Sequence, residues 1–180
     1  MSDKQQRILD KAKPVKLLIL DVDGVLTDGK IVFGSGSSEM KSFNVRDGHG
    51  IVVFKEQGFH VAIITGRDSE AVTRRATELG ITDVYQKCWD KVKAYEELKA
   101  RYNLSNTECA YVGDDIVDIP LLLRVGFGIT VGDGHPDAKA VSAYVTENYG
   151  GNGAVREVCE LILKTKNLWD KIIGDLKKVS

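Results

Sequence analysis

The chain has 180 residues, 43% hydrophobic and 28% charged, which is globular composition, with length for one domain with a sizeable core and too little for two of ordinary size. A formal net charge of -1 excludes a general pull toward nucleic acid or anionic membrane, so any anion site must be local. Cys88, Cys109 and Cys159 show no metal-ligand spacing and leave one unpaired, which suits packing residues in a reducing compartment. No stretch approaches the ~20 apolar residues of a membrane span and the first residues lack an apolar targeting segment, so a soluble cytoplasmic protein is expected.

In chain order, residues 3–12 place Ile8, Leu9 and Ala12 among charges, a short helix that Pro14 stops. Val15 to Leu20 is an apolar, branched run that reads as a strand buried on both faces. A D-x-D-G loop follows at Asp21 to Gly24. Lys30–Phe33 and Glu39–Phe43 flank Gly34, Ser35, Gly36, Ser37 and Ser38, predicting a hairpin flap with a flexible tip, too short to be a cap domain. Asp47–Gln57 is predicted as a helix ended by Gly58, and His60–Thr65 as a strand. Ser69 is expected to cap a helix running to Leu79. Strands are then predicted at Val84–Gln86, Cys109–Val112, Phe127–Val131 and Ala143–Val145, with helices at Asp90–Tyr102 and Ile116–Arg124. Gly150, Gly151, Asn152 and Gly153 read as a turn, with Asn152 as cap of a helix over Ala154–Lys164. Leu168, Trp169, Ile172, Ile173 and Leu176 lie on one face of a C-terminal helical tail over about 164–180, whose partner, this domain or another subunit, is open in sequence. Strands alternating with helices predict a single α/β domain over 1–180 built on a doubly wound, mostly parallel, Rossmann-like sheet.

Ligands in such folds bind beyond the C-terminal strand ends, and four of these ends carry suitable polar residues. Asp21 and Asp23, two apart after an extended run, point to one side, and like charges that close need a cation or a shared proton. The bland alternative for D-x-D-G is an ordinary turn; a calcium loop fails, since Val25 and Leu26 stand where its fifth and sixth positions fall. Thr65, Gly66 and Arg67 offer a hydroxyl, a free backbone N–H and a guanidinium for phosphate oxygens, and Lys91 opens the helix after the third strand. Asp114, Asp115 and Asp118 follow the fourth; Asp115 reads as a helix cap, whereas Asp114 faces the crevice of Asp21 and Asp23. Oxygen ligands around a small open site suit Mg²⁺, so Asp21, Asp23 and Asp114 are expected around one cation.

The ordered set D-x-D-G-V-L-T-D, I-T-G-R, a lysine and G-D-D-x-x-D resembles the phosphatases of the haloacid dehalogenase superfamily. More narrowly, Phe43–Gly48 (F-N-V-R-D-G) and Gly150–Glu157 (G-G-x-G-A-V-R-E) are similar to the family acting on 3-deoxy-D-manno-octulosonate 8-phosphate, in lipopolysaccharide precursor synthesis. The resemblance implies Asp21 as nucleophile forming an aspartyl-phosphate, Asp23 as general acid and then base with its backbone carbonyl on the metal, and Asp114 as a further ligand. It implies Thr65 and Lys91 on the phosphoryl group, and Asn44, Val45, Arg46, Asp47, Gly48, Gly66, Arg67 and Arg75 contacting the sugar acid or its phosphate. It also implies a cap-less homotetramer whose flaps and C-terminal segments complete neighbouring sites, using the loop Gly150–Gly153. Some relatives carry Arg where this chain has Val52, which leaves a nine-carbon deoxynonulosonate 9-phosphate as an alternative substrate. From another class, a phospho-receiver module shares an acidic cluster, a Thr and a Lys, but it keeps its phosphate-accepting aspartate and its acidic pair on different strands.

Overall fold

The structure, a computed structural model, describes residues 2–34 and 39–178. Six parallel strands form the sheet: β1 (Leu17–Leu20), β4 (His60–Ile64), β5 (Asp83–Tyr85), β6 (Cys109–Gly113), β7 (Phe127–Thr130) and β8 (Tyr144–Val145), in the order β5-β4-β1-β6-β7-β8. Two core layers explain the unbroken apolar run of β1. Leu18 and Leu20 pack on one face with Ile51, Phe54, Val155 and Val158, while Leu17 and Ile19 pack on the other with Tyr95, Leu98 and Leu121. A central strand in such a sheet has no polar face to alternate with.

One layer is built by α1 (Asp3–Ala12), α2 (Val45–Glu56), α3 (Glu70–Glu78) and α7 (Ala154–Thr165); the other by α4 (Lys91–Arg101), α5 (Ile119–Arg124) and α6 (Pro136–Val141). The alternation of strand and helix was legible, but several details differ. Helix α2 begins at Val45, two residues before the expected start, because the side chain of Asn44 accepts a hydrogen bond from the Arg46 N–H at 2.8 Å and makes it the cap. Ser69 occupies the cap position of α3 and its carbonyl accepts from the Val72 and Thr73 N–H groups, but its side chain makes no cap bond and its hydroxyl has no partner among the described residues. Strand β5 starts one residue earlier than predicted. A 3₁₀ turn (Ile116–Asp118) precedes α5, with Asp115 accepting from the Ile116 N–H at 2.7 Å as expected of a cap. Helix α6 was not anticipated: it is six residues long and buries only Ala138. Gly153, with φ of 102°, takes the position assigned to Asn152 before α7.

The flap strands β2 (Val32–Phe33) and β3 (Glu39–Met40) pair antiparallel and are shorter than predicted, and the tip at 35–38 lies outside the described residues. The tail forms α8 (Trp169–Leu176): Leu168, Trp169 and Ile172 pack on this chain's own core, Trp169 lies under Arg156 and Lys164, and Leu176 is exposed. No helix among the described residues is long and apolar enough to cross a membrane.

Candidate active site

The chain runs from β1 outward to β5 on one side, then returns to β6 on the other, so strand order reverses between β1 and β6. Loops leaving those two strands diverge and open a crevice at their C-terminal ends. Asp21 and Asp23 follow β1, Asp114 follows β6, and Thr65 and Gly66 follow β4, so the topology alone gathers them. The crevice holds about 430 Å³ and is lined by these residues with Arg67, Trp89, Lys91 and Asp115. A larger hollow of about 680 Å³ lies between α1 and β8, but the carboxylate cluster is not there.

Asp21 is 6% exposed. Its backbone N–H continues the ladder to Val112 at 3.0 Å, one oxygen accepts from the Val22 N–H at 2.7 Å, and the other accepts from Lys91 Nζ at 2.5 Å. Lys91 also donates to Tyr111 Oη at 3.0 Å and to Asp118 Oδ1 at 2.7 Å. Burial works against its charge, but Asp21 and Asp118 outweigh that and hold its pKa above the ordinary lysine value. Asp118 is fully buried and accepts four bonds: from Lys91, from Tyr111 Oη at 2.6 Å, and from the N–H groups of Asp114 and Asp115 at 2.9 and 3.1 Å. It was seen in the motif without being assigned a role; it turns the loop after β6 and holds Lys91 over Asp21.

The expected meeting of the side chains of Asp21, Asp23 and Asp114 does not occur in that form. Among the described residues, Asp21, Asp114 and Asp118 are the three acids with an oxygen each within 4.8 Å of one another. Asp23 turns instead toward the flap, where Lys41 donates to it and Arg67 Nε lies 3.7 Å away. Lys41 and Arg67 also pair with Glu39, at 2.8 and 2.5 Å. The two flap residues were missed because charged side chains on a short exposed hairpin read as solvated.

The G-G-x-G motif sits under the D-x-D-G loop of this same chain. Gly151 N–H donates to Val25 O at 2.8 Å, and a Cβ on Gly150 would stand 1.7 Å from Gly24 O. Gly24 itself has φ of 81°, and a Cβ there would fall 2.1 Å from Asp114 Oδ2. Within this chain the loop Gly150–Gly153 supports the D-x-D-G loop.

Several predicted binding residues lie away from the crevice. Asn44 and Arg46 line a separate depression with Asn148, Asn152, Gly153 and Arg156. Asp47, 1% exposed, caps α7 by accepting from the Gly153 and Arg156 N–H groups at 3.1 and 2.8 Å. Val45 is 80% exposed, Gly48 packs beneath Arg75, and Arg75 bonds Glu78 and the Asn44 carbonyl over the Phe43 ring. Val52 is partly buried against the core.

The donor set suits a hard divalent cation. With Asp118 fully used by its four donors, Asp21 and Asp114 are the pair free to bind one. The Asp114 carboxylate accepts no hydrogen bond among the described residues. Burial first, then Asp21, Asp118 and Asp115, push its pKa up to about 8, and burial pushes Asp21 up to about 6 against the pull of Lys91. Raised carboxylate pKa values mean the folded state binds more protons than the unfolded one, so metal-free stability falls as pH rises from about 4 to about 8. A cation replaces those protons, and mass action then adds stability. Saturating Mg²⁺ is accordingly expected to raise the melting temperature more at pH 8 than at pH 5, checked by thermal denaturation; equal shifts would contradict a cation on these two carboxylates.

Residues 75–158 match the family described as haloacid dehalogenase-like hydrolase. The chain is 46% identical over 167 residues to 3-deoxy-D-manno-octulosonate 8-phosphate phosphatase KdsC of Yersinia pestis, covering 93% of this chain and 88% of that protein. The crystal structure of 3-deoxy-D-manno-octulosonate 8-phosphate phosphatase from Moraxella catarrhalis, in complex with a magnesium ion, a phosphate ion and a KDO molecule, superposes with a TM-score of 0.93 at 47% identity, over 95% of this chain and 98% of that one. A cobalt-bound phosphatase of the same description from Haemophilus influenzae gives 0.84 at 36%, over 87% and 92%.

Proposed function

Because the chain belongs to the 3-deoxy-D-manno-octulosonate 8-phosphate phosphatase family of haloacid dehalogenase-like hydrolases, we propose that it hydrolyses that sugar-acid phosphate to 3-deoxy-D-manno-octulosonate and phosphate with Mg²⁺ bound. The observation that carries the reading is the pair of carboxylates, buried Asp21 and half-buried Asp114, at the strand-order reversal, with Lys91 on Asp21.

The Asp21 carboxylate attacks phosphorus while the ester P–O bond breaks, and Asp23 gives its proton to the departing sugar oxygen. Asp23, now a base, takes a proton from the water that attacks the aspartyl-phosphate, and phosphate departs with Asp21 restored. Lys91 and the buried Thr65 hold phosphoryl oxygens as charge shifts between them, and Gly66 and Arg67 bind the substrate at the same edge. Mg²⁺, held by Asp21, Asp114 and the Asp23 backbone carbonyl, offsets the repulsion between the acids and the incoming phosphate. Asn44, Val45, Arg46, Asp47, Gly48 and Arg75 form or support a second substrate-contacting surface, completed in an assembly.

That assembly is a homotetramer of single-domain subunits, a reading supported by the exposed apolar flap residues Ile31, Val32, Phe33 and Met40, from 46% to 72% exposed. The enzyme works in the cytoplasm, on precursors of lipopolysaccharide. Phosphate release from eight-carbon and nine-carbon sugar-acid phosphates, with Mg²⁺ or with EDTA, is the test. EDTA-sensitive turnover with higher kcat/KM on the eight-carbon ester is expected; a preference for the nine-carbon ester would reassign the substrate, and no turnover on either would reject the function.

A further inference from the structure

Lys41 is the least exposed cation on the flap: its side chain is 1% exposed, yet it belongs to a short hairpin with exposed apolar neighbours. A buried ammonium is costly unless paired, and its partners here are Asp23 and Glu39. Glu39 also takes Arg67, which is 42% exposed and stands 3.7 Å from Asp23, so two acids and two bases close into a neutral group. Lys41 makes the direct hydrogen bond to Asp23 and Arg67 the longer contact.

The consequence concerns where Asp23 points. Two residues after Asp21, it is close enough in sequence for its carboxylate to be drawn to a dication on Asp21 and Asp114. Asp23 is instead turned to the flap. Resting on the phosphatase reading above, we propose that Lys41 is a positioning residue, holding the Asp23 carboxylate off the cation and on the side of the crevice where the leaving oxygen departs.

The test uses Lys41→Met in the full chain, with two esters and Mg²⁺ binding measured by calorimetry. An aliphatic sugar-acid phosphate needs a proton on its leaving oxygen, whereas p-nitrophenyl phosphate releases a stable anion without one. The expected loss in kcat is ~10²-fold or more on the sugar ester and at least about tenfold smaller on the nitrophenyl ester, as for a displaced general acid. Mg²⁺ affinity is expected to hold or tighten, since Asp23 is released toward the ion. Equal losses on both esters, or weakened Mg²⁺ binding, would overturn the positioning role while leaving the phosphatase reading intact. A wild-type enzyme idle on both esters would overturn that reading and the proposal with it.

Discussion

Replacing Asp21 by Asn is expected to lower turnover by about 10⁴-fold or more while the protein stays folded. The amide has nearly the same shape but is no nucleophile, and no second carboxylate occupies its place. Asp114 carries no lysine, and Asp118 has all its lone pairs directed at Lys91, Tyr111 and two backbone N–H groups. Folding should survive because Lys91 keeps Asp118, and because an uncharged residue at 21 relieves repulsion that raises Asp114. Phosphate release together with thermal melting checks both halves. Activity within tenfold of wild type would assign the attack to another group.

Asp118→Ala is expected to be the costliest single change to stability, by about 3–5 kcal/mol in denaturant unfolding, because it strips one partner from a buried ion pair and orphans several donors at once. Its carboxylate is fully buried, unlike that of the neighbouring, exposed Asp115, which caps the turn at Ile116. Asp115→Ala should therefore cost about 1 kcal/mol. Turnover should also fall in Asp118→Ala, since Lys91 and the backbone of Asp114 lose the group that aims them. Similar costs for the two variants would mean that the buried network is not what holds the loop after β6.

The contrast between positions 115 and 118 shows where sequence reasoning ran out. A buried central strand, the acids that end it and the turn residues between elements follow from local pattern, so β1, the D-x-D-G loop and the alternation around it were legible. Which of three aspartates in G-D-D-x-x-D faces inward depends on a 3₁₀ turn, and the pattern does not fix that turn. Lys41 and Glu39 were illegible for another reason: their burial comes from Asp23 and Arg67, distant in sequence, and not from any periodicity of their own. The same holds for Gly150 and Gly151, whose glycine requirement is set by a loop more than a hundred residues earlier. Asp47 reads as a ligand in its motif, yet it caps a helix that begins at Ala154. Local chemistry was visible in each of these cases, and the partner was supplied by the fold.

Anomalous scattering from crystals grown with Mn²⁺ in place of Mg²⁺ bears most directly on the two-carboxylate cation site. One ion between the carboxylates of Asp21 and Asp114, with the Asp23 side chain still turned to Lys41, is the predicted result. An ion bound elsewhere, or none at saturating concentration, would contradict it.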